Sequence, residues 1–386
     1  MSRSKATPYI LSFLLLAALA VPSRSWAIET QAREAIVIDA ETGATLFEKN
    51  ADTPMPPASM SKMMTIHMVF ERLKDGRLSL DDTFRVSENA WRKGGAKTGG
   101  STMFLEPGKR VTVEELIRGV IVQSGNDACI VLAEGLGGSE DSFAAEMTEV
   151  ARAMGMENST FKNATGWPDP EHLTTARDLA ILAQSTIRDF PKFYSYYSEK
   201  KFTFNGITQS NRNPLLYKSM GVDGLKTGHT SEAGYGLTAS AKRGERRLIV
   251  VANGMESKKM RSAEPERLLD WAFREFGNYR LFTKGEQVEE AEIWLGKEGV
   301  VPLLIDREVF LTLPKKARRK MKVAVHYQGP IPAPVTKGQA IATLEITAPG
   351  TEAMTIPLVA GKDVAQLGFI GRLGAAINSL IWGRSG

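Results

Sequence analysis

Near residue 282 the apolar pattern of this 386-residue chain changes period, so no single uniform architecture can absorb all of it. Upstream, the runs 34–40 and 41–48 read as two strands joined by a Gly-containing turn. Pro54, Pro56 and Pro57 stop that hairpin, and 60–73 continues as a strongly apolar helix. Residues 113–123 and 127–136 read as two helices broken at Ser124-Gly125-Asn126, and 174–190 as another with Thr174 or Thr175 as N-cap. Strands return at 235–241 and 247–253, and a helix over 264–276 closes this part. Strand pair, helices, strands, helix implies a sheet covered by helices whose first and last strands meet. Downstream, short apolar runs at 293–295, 300–304, 322–326, 340–346 and 354–358 are punctuated by Gly and Pro without a helical period. They predict a small all-β sandwich.

The two ends differ from both halves. Arg3 and Lys5 precede an apolar run over 9–21, and Ser25-Trp26-Ala27 supplies small residues at a cleavage site. This reads as a secretory signal covering 1–27, because thirteen apolar residues fall short of the roughly 20 needed to span a bilayer. At the other end, 364–386 places Leu367, Ile370, Ile377 and Ile381 on one helical face, with Arg372 and Ser379 opposite. Too short and polar to span, it is expected to lie on a membrane surface with Trp382 at headgroup depth. The alternative is a helix docked on its own protein. The expected division is 1–27, 28–280, 281–363 and 364–386.

Charge and scarce residue types remove whole classes of function. The formal net charge is +5, and removing Arg3, Lys5 and Arg24 with the leader leaves +2, too little for a nucleic-acid binder. The local run Lys315, Lys316, Arg318, Arg319, Lys320 is a solvated turn or a surface that meets anionic polymer or lipid. Cys129 is the single cysteine, which excludes an intramolecular disulfide and Cys-based metal clusters. Four histidines without a His-Glu-x-x-His string exclude a zincin-type hydrolase, so neither metal nor cofactor is expected.

Ser59-Met60-Ser61-Lys62 places a hydroxyl and an amine one helical turn apart. Alone this is weak, since Ser2/Lys5, Ser159/Lys162 and Ser198/Lys201 repeat it, and Lys-Thr-Gly occurs at both Lys97 and Lys226. Only Ser59 opens a long apolar helix, ahead of Ser124-Gly125-Asn126 in an inter-helix turn and of Lys226-Thr227-Gly228 just before a strand. That order resembles the penicillin-recognising serine acyltransferases. The flanks Pro57 to Thr65, Ser124 to Ala128 and Asp223 to Thr230 narrow the resemblance. They are similar to the low-molecular-mass penicillin-binding proteins that act as D-alanyl-D-alanine carboxypeptidases, over about residues 30–275.

The resemblance implies a β-lactamase/transpeptidase-like α/β (α+β) fold, an antiparallel sheet flanked by helices. It also implies roles: Ser59 as nucleophile, Lys62 as its base, and Ser124 as the proton relay to the departing amine. Asn126 would hold Lys62 and the substrate amide. Lys226, Thr227, Gly228 and Arg212 would bind the terminal carboxylate, although Arg212 reads equally as an ion-pair partner. Backbone N–H groups of Ser59 and His229 would form the oxyanion hole. A lysine base must be neutral, so burial and the like charge of Lys226 are expected to lower the Lys62 pKa. The loop 94–101 would border the cleft, with Lys97 an accidental copy of the motif.

The expected protein is a periplasmic, membrane-surface serine carboxypeptidase that acts on peptidoglycan pentapeptides and is acylated by β-lactams. Alternatives are a D-Ala–meso-diaminopimelate endopeptidase, a class A-like β-lactamase and, remotely, a non-catalytic wall-binding protein. The β-lactamase would need a deacylating Glu that 163–167 does not offer.

Overall fold

The computed structural model describes residues 28–374. The leader, and Ile377, Ile381 and Trp382 of the tail, lie outside the described residues. Five antiparallel strands form the central sheet: β1 (Glu34–Asp39), β2 (Thr45–Lys49), β3 (Val222–Thr230), β4 (Gly234–Arg243) and β5 (Arg246–Met255). Their spatial order is β2-β1-β5-β4-β3, so the first strand does meet the last. Every residue of β1 is buried because the sheet is covered on both sides. Ile36 and Ile38 face a large helical core, whereas Ala35 and Val37 face a second core against the long helix α6 (Lys258–Glu275). The period-two alternation of β1 thus feeds two different hydrophobic layers.

The helical layer holds α1 (Lys62–Lys74), α2 (Val113–Ile121), α3 (Asn126–Gly137), α4 (Glu140–Ala153) and α5 (Ala176–Asp189). Ten of the thirteen α1 residues are buried, so this helix runs through the core instead of lying on it. Thr175 caps α5 by accepting from Asp178 N, one of the two caps expected. Two readings are corrected. Lys226-Thr227-Gly228 lies within β3, the sheet edge, not ahead of a strand. The closing helix starts at Lys258, six residues before the expected Glu264, capped by Ser257 accepting from Met260 N. Pro265 resembles a helix start in sequence but sits inside this one, where surrounding packing outweighs its missing donor.

Beyond α6 the chain is β-rich. Phe276–Phe282 pairs with Val309–Pro314, and six further segments form one sheet. Leu303, Leu344, Leu358 and their neighbours fill its core. The tail begins later than expected: Val364 is buried and bridges Val335, and Gln366 bridges Gly296. Residues 369–374 then turn helical with Phe369, Ile370 and Leu373 exposed. No helix among the described residues is long and apolar enough to cross a membrane.

Candidate active site

Three elements bring the predicted residues together. Ser59 sits in a 3-10 turn, Ala58–Ser61, that runs directly into α1, so Lys62 begins the helix one turn later. Lys62 Nζ stands 2.9 Å from Ser59 Oγ and donates to the carbonyl of Thr165 at 2.6 Å. Ser124 occupies the break between α2 and α3 with a positive φ of 61°, a conformation that costs a non-glycine residue of order 1–3 kcal/mol. The turn is held from both sides, Gly125 N donating to Gly119 O and Asn126 N to Ser101 O. Its Oγ accepts from Lys226 Nζ at 2.9 Å, across from β3. Gly228 lets β3 close on the Ser59 turn, because a Cβ there would lie 2.8 Å from Pro57 O.

Ser59, Ser124 and Gly228 line one cleft of about 1280 Å³ between the β3 edge and the helical layer, while Lys62 and Lys226 are buried behind its wall. Its mouth carries Gly99, Gly100, Ser101, Trp167 and Gln209. The loop after α1 therefore borders the cleft as expected, while Lys97 lies over the Trp91 ring at 5.3 Å and is not among the lining residues. Asp127 fixes that border. Fully buried, its carboxylate accepts from Thr102 Oγ1 (2.6 Å), Met103 N, Leu105 N and Ala128 N.

Electrostatics follow from burial. Lys62 is 1 % exposed, and loss of water, with a smaller push from Arg212, lowers its pKa to about 8. Cys129 beside it stays a neutral thiol, pushed up to about 12 by burial. Lys226 is also lowered well below its ordinary value, by burial first and then by Lys62 and Arg212. Lys62 and Lys226 thus repel each other as expected, and Arg212 adds to the positive field that lowers both. The amine is held by the Thr165 carbonyl, and Asn126 makes no hydrogen bond to it, although Asn126 lines the cleft. Arg212 lines the cleft and forms no ion pair among the described residues, which removes the structural alternative for it. The His229 ring is exposed and packs on Tyr235 at 4.0 Å.

Sequence reasoning missed Thr165 and Arg261. Thr165 acts through a main-chain oxygen, which leaves no trace in residue type. Arg261 lines the cleft from the first turns of α6, with its Nε buried and lacking an acceptor and its head over Tyr235 at 5.4 Å. Recognising Ser257 as a cap would have placed Arg261 on the helix and next to β4.

Comparison with known proteins agrees with this geometry. Residues 20–257 match the family described as D-alanyl-D-alanine carboxypeptidase, and residues 276–366 match the C-terminal domain of penicillin-binding protein 5. The chain is 38% identical over 348 residues to D-alanyl-D-alanine carboxypeptidase DacA of Escherichia coli K12, covering 89% of this chain and 86% of that one. With DacC of the same organism it shares 39% over 345 residues, with the same two coverages. Penicillin-binding protein 5 from Haemophilus influenzae superposes with a TM-score of 0.78 at 37% identity, over 88% of this chain and 99% of that one. Penicillin-binding protein D2 from Listeria monocytogenes, solved with ampicillin bound, does so with a TM-score of 0.55 at 31% identity, over 64% and 99%.

Proposed function

The chain belongs to the D-alanyl-D-alanine carboxypeptidase family and is a penicillin-binding serine peptidase, and we propose that Ser59 carries its acyl-enzyme with neutral Lys62 as base. The observation that supports this is a dry amine, with a pKa near 8, 2.9 Å from the hydroxyl. With one N–H engaged by the Thr165 carbonyl, the neutral amine can aim its lone pair at Ser59 and take its proton. Ser59 Oγ then bonds to the carbonyl carbon of the penultimate D-Ala. Charge developing on the carbonyl oxygen falls to the backbone N–H groups of Ser59 and His229, each worth roughly 3–4 kcal/mol in comparable sites. As the C–N bond breaks, the proton taken up by Lys62 passes through Ser124 to the departing D-Ala, which restores the neutral amine and the Ser124 hydroxyl, with Lys226 behind that hydroxyl at 2.9 Å. Water then hydrolyses the ester.

The terminal carboxylate is read by Thr227, Arg212 and Arg261, which all line the cleft. The acceptor-less Nε of Arg261 suits an anion entering at that point. Asn126 holds the substrate amide. The substrate is the peptidoglycan pentapeptide, and β-lactams acylate the same Ser59. A β-lactamase reading lacks its acid: in the loop that carries Thr165, Glu171 pairs with Lys162 at 2.9 Å. The enzyme is exported and held at the outer face of the cytoplasmic membrane by its tail, a reading supported by exposed Phe369, Ile370 and Leu373.

Labelled penicillin should form a stable adduct on the wild-type protein and none on Ser59→Ala. Mass spectrometry of a disaccharide pentapeptide should show tetrapeptide and free D-Ala. Label retained by Ser59→Ala would overturn the assignment.

A further inference from the structure

We propose that the basic segment around residues 315–322, with the cleft it closes against the catalytic domain, is a second site that holds the peptidoglycan polymer through its stem-peptide carboxylates. This rests on the substrate class proposed above. Between Glu308 and Glu345 the chain has no acid, and six of its Lys and Arg residues fall within 315–322. Setting aside those six and the three leader cations, the remainder of the +5 chain carries −4. Positive charge is therefore concentrated on one strip of an otherwise acidic protein, the pattern that attracts a polyanion.

The fold gives that strip a fixed shape. Ala317 is buried with Leu313 and Ala348, which pins the short helix Lys315–Arg318 and turns its cations outward. Lys315, Arg318, Arg319 and Lys320 are exposed. Lys315 Nζ donates to Phe273 O at 3.1 Å, and the Arg318 head lies 4.4 Å over the Tyr279 ring, so the strip is seated against the end of the catalytic domain. Beside it opens a cleft of about 480 Å³ lined by Arg243, Arg246, Arg274 and Lys315, with Asp270 as its acid. Asp270 pairs with Arg243 at 2.6 Å, Glu275 with Arg274 at 2.8 Å and Asp39 with Arg246 Nε at 2.9 Å, which leaves Arg246 Nη2 buried without an acceptor.

A polymer is favoured over a lipid surface by where the tail leaves. The strand Met354–Ala360 spans about 20 Å at its usual rise. Its Met354 end pairs toward the Lys322 strand through Ile346 and Val323. Past its Ala360 end, Val364 and Gln366 lead into the exposed apolar helix. The basic strip and the root of the tail therefore stand about 20 Å apart along that strand, more than two Debye lengths of about 8 Å at physiological salt, so membrane contact at the tail does not by itself bring the strip to the headgroups.

The test uses the mature chain with Arg319, Lys320 and Lys322 all changed to Ser, and a charge-keeping control, Arg319→Lys with Lys320→Arg. Co-sedimentation is measured with insoluble purified peptidoglycan and with phosphatidylglycerol vesicles, in a Ser59→Ala background that prevents turnover. Binding to peptidoglycan should fall roughly tenfold in the triple variant, persist in the control, and vanish in both at high salt, as expected of screened charge. Vesicle binding should not change. Unaltered peptidoglycan binding by the triple variant would overturn the proposal, as would any loss on vesicles. With Ser59 restored, the triple variant should process soluble pentapeptide at the wild-type rate. Failure of the wild-type protein to process it would count against the catalytic reading alone.

Discussion

Between Thr30 and Glu264 the protein buries lysines, histidines and carboxylates, among them Lys62, His67, Asp127, His172 and Lys226. From Phe276 onward the buried cores are built of Ala, Val, Leu and Ile, and no polar side chain among the described residues is buried there. The β-rich domain holds together by apolar burial and strand pairing, and its charges stay on the outside. The catalytic domain carries charges inside, each needing a partner or a depressed pKa to be tolerated. Those same conditions make an amine into a base and a loop into a rigid cleft wall. Catalysis and acid sensitivity should therefore travel together in one domain and be separable from the other.

The largest effect expected is on rate. Replacing Lys62 by Met should lower acylation by labelled penicillin about 10³- to 10⁴-fold, the upper range for loss of a general base, with the β-domain's unfolding unchanged. In the wild type, acylation should rise about tenfold per pH unit below the Lys62 pKa of about 8 and level off above it, because the reactive form is the deprotonated amine. A profile flat from pH 6 to 9 would break the link between burial and basicity. Asp127→Ala leaves the Thr102, Met103 and Leu105 donors without their acceptor and should cost roughly 3–5 kcal/mol, seen as a lower catalytic-domain melting temperature and slower acylation together.

Acid should distinguish the domains next. Burial lowers His67 and His172 to about 4, while in the unfolded chain each titrates near 6.5. The unfolded state then binds more protons, so stability is lost as pH falls from about 6.5 to 4, by roughly 3 kcal/mol per histidine. His326 of the β-domain is exposed beside Glu345 and adds no such buried group. Hydrogen exchange at pH 4.5 should show the catalytic domain opening first; equal loss in both would break the comparison. Leu344→Ala tests it from the other side, costing the β-domain about 2–5 kcal/mol by cavity formation and leaving acylation intact.

Much of the candidate site was legible in the sequence, because Ser59, Lys62, Ser124 and Lys226, which the fold brings into hydrogen-bonded pairs, are marked by residue type and by spacings that the chain itself carries. The strand pair, the break at Ser124 and the Thr175 cap were likewise local patterns. What escaped reading acts at long range. Thr165 serves through a carbonyl that any residue type would supply. Arg261 was hidden behind Pro265, whose local preference for a helix start lost to the packing of α6. How far Lys62 and Lys226 are lowered depends on depth below the surface, which no spacing records.

Residue order alone determined which hydroxyls and amines could pair, where the texture changed, and that positive charge gathers at 315–322, since each is a property of neighbours along the chain. Only the tertiary structure decided which of the three Ser-x-x-Lys strings among the described residues is dry, which carbonyl holds the lysine, and which way the tail departs from the basic strip. Desolvation and distance are set by segments a hundred residues apart coming together, and those contacts exist only once the chain has closed on itself.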